Sequence, residues 1–213
     1  MRESIDGASF AQAMIHAAAS LNLQKQQINE LNVFPVPDGD TGTNMSLTLG
    51  TAAAELRKRQ PHTVGEAAAT NASALLRGAR GNSGVILSRG LSKALKGRET
   101  ADAAAFAAAM QEGVSAAYKA VMKPAEGTIL TVSRLTAARA ADAARQTPND
   151  PEAVLEAAIA EGQLALEHTT EMNPVLKQAG AVDAGGKGFL VILQGLLDSL
   201  RGVPMPEGDG EGE

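Results

Sequence analysis

Apolar residues return at three- and four-residue spacing along almost the whole chain, and that period limits the fold more than any other feature. Phe10, Met14, Ile15, Ala18 and Leu21 share one face of a helix. The pattern predicts a first helix from Ser9, which makes a capping box with Gln12, to about Leu31. A second is expected from Thr43 to Arg59, stopping before Pro61. Thr63 and Glu66 make another capping box and open a helix that reaches Gly78. The next runs from Ser83 to Lys96 and ends at Gly97. Thr100 caps the alanine-rich stretch 101–122, which Lys123-Pro124 closes, and Thr128 begins a helix to about Arg145. Asp150-Pro151, an N-cap followed by proline at the first helical position, predicts a helix from 151 to about 169. The last runs from about Gly186 to Leu200. Strand signals are almost absent, because Val33-Phe34-Pro35-Val36-Pro37 carries too many prolines for a ladder and reads as an extended loop. The class is therefore all-α, a bundle of about eight amphipathic helices with short connections.

Composition narrows the core and the compartment. Aromatics are 2% of the 213 residues, so the interior is built from Ala, Leu, Val, Ile and Met, and the many alanines allow close helix approach. The net charge of −5 is concentrated in the final Glu-Gly-Asp-Gly-Glu-Gly-Glu. The body is close to neutral, with no basic stripe to support a nucleic-acid partner. No cysteine is present, which excludes disulfides and thiolate metal sites. No apolar run is long enough to span a membrane, and the N-terminus lacks a signal-peptide core, so a cytoplasmic protein is expected. Residues 1–202 are expected to form the helical domain, and 203–213 an acidic Pro/Gly-rich tail or interdomain linker.

The loop Pro35-Val36-Pro37-Asp38-Gly39-Asp40-Thr41-Gly42-Thr43-Asn44 poses a charge problem. Asp38 and Asp40 are too close to ionise without mutual repulsion. Hard oxygen ligands without His or Cys favour Mg²⁺ or Mn²⁺, and Mg²⁺ commonly takes one or two carboxylates plus water and phosphate oxygens. An EF-hand numbered from Asp38 fails, because Thr43 stands where Gly is required and Leu49 where Glu is required. Asp and Gly are also common turn residues. Thr41, Thr43 and Asn44 add donors at a helix start, where free backbone N–H groups favour anions.

Three further glycine-bearing joints precede helices. Gly81, Asn82, Ser83 and Gly84 form one, Gly127 and Thr128 another, and Asp183, Gly185, Gly186 and Lys187 the third. None is a Walker A loop, since the required Lys-Ser/Thr pair is missing, and Ala181 and Gly188 break the pattern at the last joint. In an up-and-down bundle, alternate helix N-termini lie at one end, so these joints can cluster there around a nucleotide and a divalent metal. His16, His62 and His168 have no metal-ligand spacing, and Ser83 has no nearby histidine to activate it.

Four segments, Leu31–Met45, Gly78–Ser88, Lys123–Val132 and Val182–Gly188, resemble the N-terminal ATP-binding domain of bacterial fatty acid kinase, itself similar to the nucleotide-binding L subunit of dihydroxyacetone kinase. The resemblance covers nearly the whole chain from about Ser9 to Leu200. It implies a barrel of about eight antiparallel helices with ATP or ADP and two Mg²⁺ ions at one end. Asp38 and Asp40 would be the catalytic metal ligands, with Asn32 a weaker metal or nucleotide contact. Thr41, Gly42, Thr43 and Asn44 would hold phosphates. Gly81, Asn82, Ser83 and Gly84 would cradle them. Met122, Gly127 and Thr128 would lie beside the nucleotide, and Asp183 with Gly185 would close the site. The resemblance also implies γ-phosphoryl transfer to a fatty acid carboxylate presented by a separate acyl-binding protein, with further domains following in the same chain. Alternatives are a dihydroxyacetone kinase nucleotide subunit and a non-catalytic nucleotide-binding regulatory domain.

Overall fold

The computed structural model describes residues 1–78 and 82–207, with side chains at all of these except 82, 83, 89 and 90. Its elements in order are β1 (Ile5–Asp6), α1 (Gly7–Glu30), α2 (Thr41–Arg59), α3 (Val64–Gly78), α4 (Asn82–Leu95), β2 (Thr100–Ala101), α5 (Ala103–Ala120), α6 (Ile129–Gln146), α7 (Pro151–Met172), α8 (Pro174–Ala179) and α9 (Ala184–Leu200). Each helix from α1 to α7 packs on the next, and α9 lies between α7 and α1, so eight long helices close into a ring. The all-α expectation holds. No helix among the described residues is long and apolar enough to cross a membrane.

The ring encloses the apolar faces that the periodicity marked. Phe10, Met14, Leu21, Leu49, Leu56, Leu75, Leu130, Leu155, Phe189 and Leu190 are all buried. Each such side chain contributes about 1.5–3 kcal/mol on burial. Small residues set the closest approaches. A Cβ at Gly195 of α9 would stand 2.7 Å from the Ala17 Cα of α1, so α9 seats against α1 only because glycine is there.

Several helix starts differ from expectation. Asp6, not Ser9, caps α1, and Ser9 is the residue whose N–H it accepts, at 2.7 Å. Thr100 does not cap α5. It lies in β2, which pairs antiparallel with β1 (Ile5 opposite Ala101, Asp6 opposite Thr100), and Asp102 caps α5 by accepting from Ala105 N–H at 2.8 Å. These two short strands were not expected, because a two-residue pair has no periodicity of its own. The helix expected to run to 122 stops at Ala120. α2 starts at Thr41 and α9 at Ala184, two residues earlier than expected in each case. α8 was not expected at all, although Asn173-Pro174 opens it and Gly180, at φ +63°, ends it. The Thr63–Glu66 capping box forms in both directions, at 3.1 and 3.3 Å. Asp150 caps α7 as expected, accepting from Ala153 N–H.

The up-and-down course places the starts of α2, α4, α6 and α9 at one end of the ring. The β1–β2 pair and the starts of α1, α3, α5 and α7 lie at the other.

Candidate functional site

One buried amide organises the carboxylate loop. Asn32, just beyond the end of α1, is 6% exposed. Its Oδ1 accepts from Asp40 N–H at 3.2 Å, Thr41 N–H at 3.0 Å and the Thr41 hydroxyl at 2.6 Å. Its Nδ2 donates to the Val36 carbonyl at 2.9 Å. The loop is thus clasped across its length, with the Phe34–Pro35 bond cis and Gly39 at φ +66°. Asn29, one turn earlier on α1, accepts from Thr43 N–H at 3.1 Å and donates to the Thr43 hydroxyl at 3.0 Å. These two asparagines satisfy N–H groups in the first turn of α2, which is why the helix begins as early as Thr41. Gly42 permits the approach, since a Cβ there would fall 2.1 Å from the Lys25 carbonyl oxygen.

The consequence is that the acids have no structural duty. Asp40 occupies the N-cap position of α2, yet its side chain makes no capping bond. Asp38 and Asp40 are both exposed, and neither carboxylate has a hydrogen bond or ion pair to the described residues. Two carboxylates held in a clasped loop and left unpartnered are available to a cation. The Asn32 oxygen, expected as a weaker metal or nucleotide contact, accepts three hydrogen bonds within the loop.

Asp40, Thr41 and Asn44 form one wall of a cleft of about 530 Å³. The α5–α6 loop contributes Val121, Lys123, Ala125 and Thr128, and the start of α9 contributes Asp183 and Gly185. Phe34, Pro35, Met45, Ile129 and Leu130 supply apolar surface. Three helix N-termini, those of α2, α6 and α9, therefore meet at one cavity. Their positive dipole ends favour an anion. A second cleft of about 470 Å³, lined by Ala8, Ile15, Arg57 and His62 among others, lies at the far end and holds none of the motif residues.

Asp183 holds the start of α9 against α7. It is 5% exposed and caps α9, with Oδ2 accepting from Gly186 N–H at 2.8 Å. The backbone of Ile129, at the start of α6, also favours its charged form. The Asp183 N–H donates to the Thr169 hydroxyl of α7 at 3.1 Å. Burial pushes its carboxyl up to about 6 despite these two backbone groups, which act in the opposite direction.

The expected residues do not all reach the cleft. Asp40, Thr41, Asn44, Thr128, Asp183 and Gly185 line it. Asp38 stands exposed in the adjoining loop, Thr43 is engaged with Asn29, and Gly42 is buried against α1. Gly127 lies behind the cleft at φ +74°, where a Cβ would come within 2.9 Å of Met172 Cβ. Met122 is 97% exposed and does not line it. Its neighbours Val121 and Lys123 do. Gly81 lies outside the described residues. Asn82 and Ser83 are the first residues of α4, whose start shares this end of the ring, and Gly84 is buried. Lys123 was not expected in the site, although among the described residues it is the cation that lines the cleft. Its place at the first residue of a Lys-Pro loop was the available signal.

A family model for the DAK2 domain matches residues 35–198, which includes every joint described above. The chain belongs to the DAK2 domain family. Among relatives of this DAK2 domain, Protein YloV of Bacillus subtilis (strain 168) is 45% identical over 207 residues, covering 96% of this chain and 37% of YloV. Uncharacterized protein SSP1546 of Staphylococcus saprophyticus is 45% identical over 208 residues, covering 95% and 37%. Uncharacterized protein SAUSA300_1119 of Staphylococcus aureus (strain USA300) is 43% identical over 205 residues, with the same coverage. The chain thus spans about a third of the length of these curated relatives. The crystal structure of the dihydroxyacetone kinase of C. freundii in its native form superposes with a TM-score of 0.63 at 20% identity, over 93% of this chain and 36% of that one. At that identity the likeness is one of fold.

Proposed function

We propose that this DAK2 domain binds ATP or ADP with Mg²⁺ in the cleft and serves as the phosphoryl donor of a kinase acting on a fatty acid carboxylate. The acceptor would be presented by a separate acyl-binding protein, and the product would be an acyl phosphate. The observation that carries the reading is the meeting of three helix N-termini with the unpartnered Asp38–Asp40 loop at one end of the ring.

The residues present fit a hard divalent cation. Asp38 and Asp40 offer carboxylate oxygens with no competing protein partner among the described residues. No group of three or more His, Cys, Asp or Glu stands together among those residues. A hard divalent cation held by two carboxylates completes its shell with phosphate and water oxygens. When bound, up to two such ions supply charge neutralisation on the transferred phosphoryl group. The chain's own part is positioning. The starts of α2, α6 and α9 bring positive dipole ends to phosphate oxygens, and the Lys123 ammonium brings a charged donor. Phe34, Met45, Val121 and Leu130 give an apolar wall for a base, and Asn32 holds the acids at a set distance from the helix.

A carboxylate acceptor has a reference pKa of about 4.3 and is already ionised near neutrality, so no general base is required. Among the described residues no histidine lines the cleft, and Asp183, a lining group pushed toward neutrality, is engaged by the Gly186 N–H. A dihydroxyacetone hydroxyl would need a base, which makes that acceptor the second reading. The fold likeness to dihydroxyacetone kinase is what keeps it in view. We place the domain boundary near residue 202, where Gly202 adopts φ +76°, with Met205 still resting on the helices. Phosphoryl transfer from labelled ATP tests the choice, with a long-chain fatty acid on its carrier protein in one arm and dihydroxyacetone in the other. Transfer to dihydroxyacetone alone overturns the fatty acid assignment. Calorimetry showing no Mg²⁺-dependent nucleotide binding overturns the kinase reading as a whole.

A further inference from the structure

The α5–α6 loop gives the cleft Val121, Lys123, Ala125 and Thr128, yet the groups that shape it lie on its outer side. Glu126 Oε1 accepts from the Tyr118 hydroxyl at 3.0 Å. Its Oε2 accepts from Arg134 Nη2 at 3.2 Å and from the Thr131 hydroxyl. Arg134 Nε donates to the Tyr118 oxygen at 3.2 Å, which closes a triangle between α5, the loop and α6. Thr131, fully buried on α6, also accepts from Gly127 N–H at 2.8 Å. Burial pushes the Glu126 carboxyl up, but the bonds from Thr131, Tyr118 and Arg134 outweigh it and leave it below its ordinary value. The carboxylate thus stays charged near neutrality and holds all three donors.

Resting on the nucleotide reading above, we propose that Glu126 is a positioning residue for the cleft. Its carboxylate clamps the α5–α6 loop from behind so that Lys123 and Thr128 face the ligand. Glu126 itself is not among the residues that line the cavity. It acts on the backbone between them. Gly127 follows it at positive φ and is held on α6 through the same Thr131 hydroxyl. Thr128 then caps α6, its hydroxyl oxygen accepting from Leu130 N–H at 3.3 Å while the hydroxyl donates to the Ala125 carbonyl at 2.7 Å. Losing the clamp frees the residues on either side of Lys123 and Thr128 while removing no cleft atom.

The test is Mg²⁺-ATP affinity, read by calorimetry, for the wild-type chain and for Glu126→Ala, Glu126→Gln, Arg134→Gln and Arg134→Lys. A far-end control is Arg201→Gln, which removes an exposed Arg201–Glu156 bond of 3.0 Å. The clamp predicts affinity about fivefold weaker in both Glu126 variants, since each loses charged hydrogen bonds. Arg134→Lys, which keeps the charge but loses the Tyr118 bond, should stand between wild type and Arg134→Gln. Arg201→Gln should match wild type. Hydrogen exchange at the Gly127 amide should accelerate in Glu126→Gln even without nucleotide. Wild-type affinity in folded Glu126→Gln overturns the clamp and leaves the kinase reading standing, and so does equal weakening by Arg201→Gln. Absence of nucleotide binding by the wild-type chain overturns both.

Discussion

Asn32 and Thr41 meet through a single oxygen: the Asn32 Oδ1 accepts both the backbone N–H and the hydroxyl of Thr41, at 3.0 and 2.6 Å. That contact joins the end of α1 to the start of α2 and spans the acidic loop between them. Replacing Asn32 by Ala leaves two backbone N–H groups and a carbonyl of the half-buried loop without their protein partner. We expect a loss of about 2–3 kcal/mol of stability, measured by urea unfolding. Mg²⁺-ATP affinity should fall as well, because the loop that carries Asp38 and Asp40 loses its frame.

Asp38 and Asp40 should behave in the opposite way. Both carboxylates are exposed and without protein partners among the described residues, so Asp38→Ala and Asp40→Ala should change stability by no more than about 0.5 kcal/mol. Their cost should fall on the ligand. The rise in melting temperature that Mg²⁺-ATP gives the wild-type protein should vanish in the double variant, while the ligand-free melting temperature is retained.

Asp183 makes a prediction about pH. Its folded-state pKa is raised to about 6 by burial, above the 3.8 of the unfolded chain. The folded state therefore binds the proton more tightly between those values. The stabilisation this gives is complete below about pH 4, declines as pH rises, and is gone above about pH 6. Its size is on the order of 3 kcal/mol. Asp6 and Glu126, held below their ordinary values, slope the other way at lower pH. The difference between wild type and Asp183→Asn, each unfolded in urea across pH 4–7, isolates the one group. A flat difference would contradict the burial of an ionisable carboxyl here.

Two glycines of α2 should respond oppositely to alanine. At Gly42 the added Cβ would sit 2.1 Å from the Lys25 carbonyl oxygen, a backbone atom that cannot swing aside. Gly42→Ala should cost about 3 kcal/mol or more and displace the start of α2 from α1, weakening ligand binding with it. At Gly50, exposed within the same helix, an added Cβ would meet no atom within 4 Å. Gly50→Ala should stabilise by about 0.5–1 kcal/mol in thermal unfolding, through reduced backbone entropy of the unfolded chain.

What the sequence alone determined was the set of long helices and the end at which their polar starts gather. Apolar period, the Thr63–Glu66 box and the Asp150-Pro151 start are local signals, readable within a turn or two of the chain. Asp40, Thr41, Asn44, Thr128, Asp183 and Gly185 could be nominated together because alternation of direction brings every second start to one side. Tertiary structure decided which atoms are spent and which are left over. Asn32 closes a loop across 9 residues of sequence, Asp183 joins the start of α9 to α7, and Glu126 answers to Tyr118 and Arg134 on two different helices. Met122 is left exposed while Lys123 lines the cleft, a difference set by the path of the α5–α6 loop. β1–β2 and α8 are too short to announce themselves by period. A hydrogen bond depends on distance and direction between groups that only the closed ring of helices brings into range, and no spacing along the chain encodes which partner a buried polar atom will find.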